Sequence, residues 1–265
     1  MITEINWPIG IELLQAEGWD VVYDPDLWKD RAKLQTELKS ADAIIVRNQT
    51  RVDAELLNWK HRLKVIGRLG VGLDNIDLIE AGRLNIPVIY GKNANATSVA
   101  EYVIAAMFAS SRLLNEANLS VRAGEWNRKK FTGTEVCGKV LGLIGVGEIG
   151  HRVAVRANAL GLRVIGYDPY VAPYDFPVAE TGIKLASFEQ VMAESDFISL
   201  HVPLTEHTRH LVDMHAIKKM KQSAIIINSA RGGIIHETDL HEALQKGMLA
   251  GAVLDVLEQE PPPAD

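Results

Sequence analysis

Cysteine is nearly absent. Cys137 stands alone in 265 residues, so no disulfide can form within the chain, and a reducing, cytoplasmic compartment is expected. Cys137 itself reads as a small packing residue. No Cys/His spacing resembles a zinc site, and no metal is expected. No apolar stretch approaches the ~18 residues that a membrane span needs. The start, "MITEINWPIGIELL", lacks the basic and apolar regions of a signal peptide. There is no block of like charges and no basic tail, and the formal net charge is −6, which argues against a nucleic-acid partner. The densest basic cluster, Arg128–Lys130, reads by itself as a solvated patch. Internal repeats and low-complexity segments are also missing.

What is present is ample apolar material, 47% of the chain, enough for one or two domains. Short β-rich runs alternate with amphipathic stretches. "WDVVYD" (Trp19–Asp24), "ADAIIVR", "LKVIGRLG" and "IPVIYG" read as strands in the first part; "VLGLIG", "RVIGYDP", "DFISLHVP", "SAIIINSA" and "AGAVLDVLE" do so in the second. This alternation predicts parallel sheets with crossover helices. From Ser98 a long proline-free pattern rich in Ala, Leu and Met predicts one continuous helix joining two domains. The expected domains are residues 1–95 and 96–265.

Three stretches carry chemistry. Gly145-Val-Gly147-Glu-Ile-Gly150 follows an apolar strand, opens a helix, and is succeeded by a strand ending in Asp168. In that context GxGxxG reads as a dinucleotide fingerprint. Gly145 permits the turn, Gly147 admits the pyrophosphate to the backbone, and Gly150 lets helix and strand approach. The helix start, with Glu148 and Ile149, offers free N–H groups to phosphates. Asp168 would accept from ribose hydroxyls and repel a 2′-phosphate, favouring NAD over NADP. A second GxG, in "GRLGVGLDNID", reads equally as a tight turn or as a row of N–H groups facing an anion. The third stretch is "NSARGG". It places Arg231 at a strand's carboxyl end, where open parallel sheets bind ligands, with glycines that turn the chain away. An arginine there grips a carboxylate through two parallel bonds; the plainer reading is a surface arginine in a salt bridge.

Taken together, "GRLGVGLDNID", "GVGEIG", "YDP", "HVPLT", "NSARGGIIHE" and "LDVLEQEPP" resemble the D-isomer-specific 2-hydroxyacid dehydrogenase family over nearly the whole chain. "GEWNRKKFTGTEVCGKVLGLIGVGEIG" resembles its 3-phosphoglycerate and sulfolactate dehydrogenase branch. The resemblance implies an α/β protein of two Rossmann-like domains, a flavodoxin-like substrate domain and an NAD-binding domain, with a cleft between them. It implies that Arg231 binds the substrate carboxylate and that Glu260 partners a catalytic histidine. Asp255 would sit near the nicotinamide, with Val202, Pro203, Ser229 and Ala230 lining the cofactor. Gly70, Val71 and Gly72 would hold the substrate carboxylate.

Arg47, Arg68 and Arg128 would meet a second anionic group on the acid. The implied reaction moves hydride between C2 of a 3-phosphoglycerate-like 2-hydroxy acid and NAD, in a homodimer paired through the NAD domain. Sulfolactate dehydrogenase and hydroxypyruvate or glyoxylate reductase are the alternatives, and an NAD(H)-sensing binding protein is the reading from another class. Two departures stand out. Glu148 places a carboxylate beside the pyrophosphate position. The family's histidine follows one more strand after "EQEPPP", and none of the eight histidines here matches it, so further residues are expected after Asp265.

Overall fold

The computed structural model describes residues 1–59 and 61–262; the final proline of "EQEPPP" lies outside them. The chain divides into two compact units, Met1–Asn95 and Ala96–Asp265.

The first unit holds a parallel sheet of β1 (Ala43–Val46), β2 (Val65–Arg68) and β3 (Val88–Tyr90), in that order. Its helices are α1 (Pro8–Ala16), α2 (Arg31–Leu38), α3 (Ala54–Leu57) and α4 (Leu78–Arg83). Three begin with an aspartate whose side chain accepts a backbone N–H: Asp30, Asp53 and Asp77. Each supplies one of the partners that a helix start lacks. Leu34, Leu38, Ile44, Val46, Leu56 and Ile66 form the core. "WDVVYD" is not a strand. Only Tyr23 pairs, through an isolated parallel bridge to Ile2, which bridges Ile45 in turn. Ile2 thus lies between Tyr23 and β1, and the Trp19–Asp24 run contributes a single bridge in place of the expected strand.

Among the described residues the second unit carries six parallel strands: β4 (Val140–Ile144), β5 (Arg163–Tyr167), β6 (Lys184–Leu185), β7 (Phe197–Leu200), β8 (Ile225–Asn228) and β9 (Gly251–Leu254). They are ordered β6-β5-β4-β7-β8-β9. The order reverses direction between β4 and β7, the switch point beside which such sheets bind ligands. β4 and β7 are buried throughout, so they read as continuous apolar runs. The helices are α5 (Ala96–Arg112), α6 (Leu114–Arg122), α7 (Glu148–Ala159), α8 (Phe176–Thr181), α9 (Phe188–Glu194), α10 (Met214–Ile217) and α11 (Glu237–Gln245).

The single helix expected from Ser98 is two. Leu113 adopts a left-handed φ of 48° between α5 and α6. The Thr134 N–H donates to the Ser111 carbonyl (3.0 Å), so the 133–134 segment takes an acceptor that a continuing helix would use. Among the described residues no helix is long and apolar enough to cross a membrane.

Candidate active site

Because the six-stranded sheet is parallel, all its strands end on one edge, and most of the anticipated residues follow those ends. After β4 comes the glycine turn. Gly145 has φ 96°, and a side-chain carbon there would lie 2.5 Å from the His201 carbonyl and 3.1 Å from a Val202 methyl. Glycine therefore allows the turn at the end of β4 to lie against the end of β7. A side-chain carbon at Gly150 would lie 2.5 Å from the Gly145 carbonyl, so α7 packs on this turn closely.

Gly147 differs. Its φ of −76° suits any residue, and nothing in the protein lies within 4 Å of an added carbon. Internal packing does not require glycine there, whereas a backbone approached by a ligand does. Gly147 caps α7 with no side-chain hydrogen bond, leaving the N–H groups of the first turn without a capping side chain. Glu148 pairs with Arg152 one turn along the helix, at 2.5 Å. Its charge is thereby balanced beside the positive end of the helix.

Asp168 follows β5. Its Oδ2 accepts from Val146 N–H (2.9 Å) and its Oδ1 from Tyr170 N–H (3.0 Å). The carboxylate is thus fixed to the glycine turn itself. Each oxygen keeps acceptor capacity for a further donor.

His201, Val202 and Pro203 follow β7. The His201 ring Nε2 lies 3.0 Å from the Ser199 hydroxyl, and loss of water around the ring lowers its pKa to about 4. A neutral imidazole is the state this position favours. Val202 packs against the core that also takes Ala230.

Ser229, Ala230 and Arg231 follow β8. Asn228 holds them from below: its amide donates to the Arg231 carbonyl (2.8 Å) and its oxygen accepts from Ala230 N–H (3.1 Å). Arg231 Nη1 donates to the Ala230 carbonyl at 2.6 Å. Ser229 Oγ is buried with no hydrogen-bond partner among the described residues. A buried hydroxyl of this kind fits a site whose remaining partner is a bound group. Asp255 follows β9. Burial, then the negative charge of Asp255, holds the Tyr102 phenol above its ordinary pKa. Nothing in the periodicity of α5 singled out Tyr102 as a neighbour of Asp255. Glu260 Oε1 accepts from Leu257 N–H (3.0 Å).

Arg128 lies elsewhere, on the exposed loop after α6, stacked on Trp126 at 5.7 Å. In the first unit, Arg47 follows β1 and Arg68 ends β2, ahead of Gly70, Val71 and Gly72. Gly70 has φ 149°, and its carbonyl accepts from Gly91 N–H. Arg47 donates to the Ile5 carbonyl (3.3 Å) and stacks on Trp7 (5.2 Å). Its loop is built on Glu4, 4% exposed, whose carboxylate accepts from the N–H groups of Arg47, Asn48, Gln49 and Thr50 at 2.8–3.1 Å. Burial would raise the Glu4 pKa, but the bonds from Thr50, Gln49 and Arg47 outweigh it and hold the carboxyl below its ordinary value. Sequence reading missed Glu4 because its partners lie more than forty positions away. No group of three His, Cys, Asp or Glu among the described residues could hold a metal ion.

The glycine turn, the uncapped helix start, the open face of Gly147 and the anchored Asp168 fit a dinucleotide. Residues 104–265 match the model of the D-isomer specific 2-hydroxyacid dehydrogenase NAD binding domain. The chain is 44% identical over 256 residues to the D-3-phosphoglycerate dehydrogenase of Archaeoglobus fulgidus, covering 97% of this chain and 48% of that protein. It is 43% identical over 262 residues to the hydroxypyruvate reductase of Thermotoga maritima, covering 97% and 83%. Among solved structures, the D-lactate dehydrogenase of Aquifex aeolicus complexed with NAD and lactic acid superposes with a TM-score of 0.88 at 32% identity, covering 98% and 77%. The chain spans about half the length of the phosphoglycerate dehydrogenases it matches. It belongs to the D-isomer-specific 2-hydroxyacid dehydrogenase family, and its second unit carries that family's NAD-binding domain.

Proposed function

We propose that the protein is an NAD-dependent oxidoreductase that moves a hydride between C2 of a small 2-hydroxy acid and nicotinamide, the acid carrying a second anion as 3-phosphoglycerate does. The observation that carries this reading is the common sheet edge, which bears both the dinucleotide turn and Arg231. When bound, NAD supplies the hydride acceptor. Gly147 and the start of α7 receive its phosphates, and Asp168 receives a ribose while opposing a 2′-phosphate. Arg231 grips the acid's carboxylate and steadies charge developing on the C2 oxygen. In the first unit, Val71 and Gly72 offer backbone N–H groups to a carboxylate, whereas the Gly70 N–H is donated to the Arg68 carbonyl; Arg47, Arg68 and Arg128 serve a second anion. The resemblance implies that the C2 hydroxyl proton passes to a histidine partnered by Glu260. A homodimer in the cytoplasm belongs to the same proposal, supported by the resemblance and by the single cysteine.

The test is NADH oxidation followed by absorbance with 3-phosphohydroxypyruvate, sulfopyruvate, hydroxypyruvate and glyoxylate. The expected result is the highest kcat/KM for 3-phosphohydroxypyruvate and its collapse in Arg231→Ala. NADH binding without turnover on any of the four would overturn the proposal in favour of an NAD(H)-binding sensor. One observation favours a second substrate. The hydroxypyruvate reductase is matched over 83% of its length, and a preference for hydroxypyruvate would follow that relative instead.

A further inference from the structure

A cluster of side chains with no role in the proposed reaction stands against the Arg231 turn. His210 has a left-handed φ of 52°, which a non-glycine residue keeps where its surroundings over-determine it. Its backbone N–H donates to the Gly233 carbonyl at 2.7 Å. Its ring Nε2 lies 2.9 Å from Glu258 Oε1. The Glu258 N–H donates to Glu237 Oε1 at 2.6 Å, and its side chain passes over Gly233, with Cγ 3.9 Å from an added carbon there. The His210 ring meets the His236 ring edge-on, centroids 4.5 Å apart. His236 in turn caps α11 by accepting from Asp239 N–H. On the other side, a side-chain carbon at Gly232 would overlap the Leu257 carbonyl and crowd the Glu258 nitrogen. The Gly232–Gly233 turn is therefore gripped between His210 and the Leu257–Glu258 backbone. The Leu257 N–H from the same backbone holds Glu260.

We infer that His210 and Glu258 are positioning residues that lock the turn carrying Arg231 to the segment carrying Glu260. What is positioned rests on the proposed function; the lock itself does not. Arg231 and Glu260 follow different strands, and without a tie their loops move separately. A displacement of ~1 Å at reacting groups can cost about 10²-fold in rate. The His210–Glu258 bond needs an N–H at Nε2, which either the neutral ring in that tautomer or the protonated ring supplies.

Three variants test the lock. Asn tolerates the left-handed region, but at position 210 it is too short to reach Glu258. Gln reaches and offers an N–H, while tolerating that backbone less well. Amide exchange over residues 230–234 and 255–260 should run about tenfold faster in H210N and E258A and return most of the way to wild type in H210Q. The H210N/E258A double variant should be no faster than the worse single, because both break one bond. In turnover, kcat should fall about tenfold in H210N with KM for NADH unchanged. Unchanged exchange in both segments, additive effects in the double variant, or an H210Q no better than H210N would each overturn the lock. E258A supplies the same reading if H210N fails to fold. A wild-type protein that reduces no 2-oxo acid would reject the proposed function, and the exchange arm would still decide the lock.

Discussion

His201 shows how a single residue couples the site to the stability of the fold. Its ring sits at the end of β7 beside the Gly145 turn, bonded to Ser199, with a pKa lowered to about 4 by loss of water. In the unfolded chain the same group titrates near ~6.5. Between those values the unfolded state binds a proton that the native state refuses, so stability must fall as pH drops through this window. From pH 7 to pH 5 the loss assigned to this one group is about 2 kcal/mol. His201→Gln keeps a partner for Ser199 and removes the titration. Urea unfolding at both pH values should show the variant losing about 2 kcal/mol less than the wild type. Equal losses would mean that His201 is protonated as readily in the folded protein as in the unfolded one.

At the scale of the element, the β4 turn and α7 carry two kinds of glycine. Gly147→Ala places a methyl where the protein has no atom within 4 Å, at a φ that alanine accepts. Folding should be unharmed, or favoured by about 0.4–1 kcal/mol through the unfolded chain. NADH binding should nonetheless weaken about tenfold or more if, as proposed, Gly147 receives the pyrophosphate, whose space the methyl would enter. Gly150→Ala should damage both, since its methyl meets the Gly145 carbonyl. Melting curves and NADH fluorescence titrations separate the two. A Gly147→Ala variant with unaltered NADH affinity would place the dinucleotide elsewhere.

The contrast also explains what was legible in advance. The glycine turn, Asp168 and the parallel strands are written in short local patterns, and each was readable. The break at Leu113 was not, because its cause is a loop residue, Thr134, that takes a helix carbonyl from twenty-odd positions away. Trp19–Asp24 has strand composition, but only Tyr23 finds a pairing partner, at Ile2. The Glu4 nest and the His210–Glu258 bond join residues more than forty positions apart, and periodicity carries no trace of such pairs.

At the scale of the whole molecule the net charge is −6, which opposes the approach of a doubly charged acid. Binding such a substrate requires cations placed locally and held in advance. Arg47 is held in this way, through Ile5, Trp7 and a loop whose N–H groups are taken up by Glu4. If Arg47 meets the distal anion, losing one charge-assisted bond of about 1.5–3 kcal/mol should raise KM by about 10- to 100-fold. That rise should appear with 3-phosphohydroxypyruvate and stay below about threefold with hydroxypyruvate in Arg47→Ala. Salt provides an independent check. Screening weakens exposed charge pairs, so KM for the phosphorylated acid should climb with ionic strength in the wild type and climb less steeply once Arg47 is gone. Equal rises in KM for both acids, with parallel salt dependence, would show that Arg47 supports the loop and not the substrate, leaving the second anion to Arg68 or Arg128.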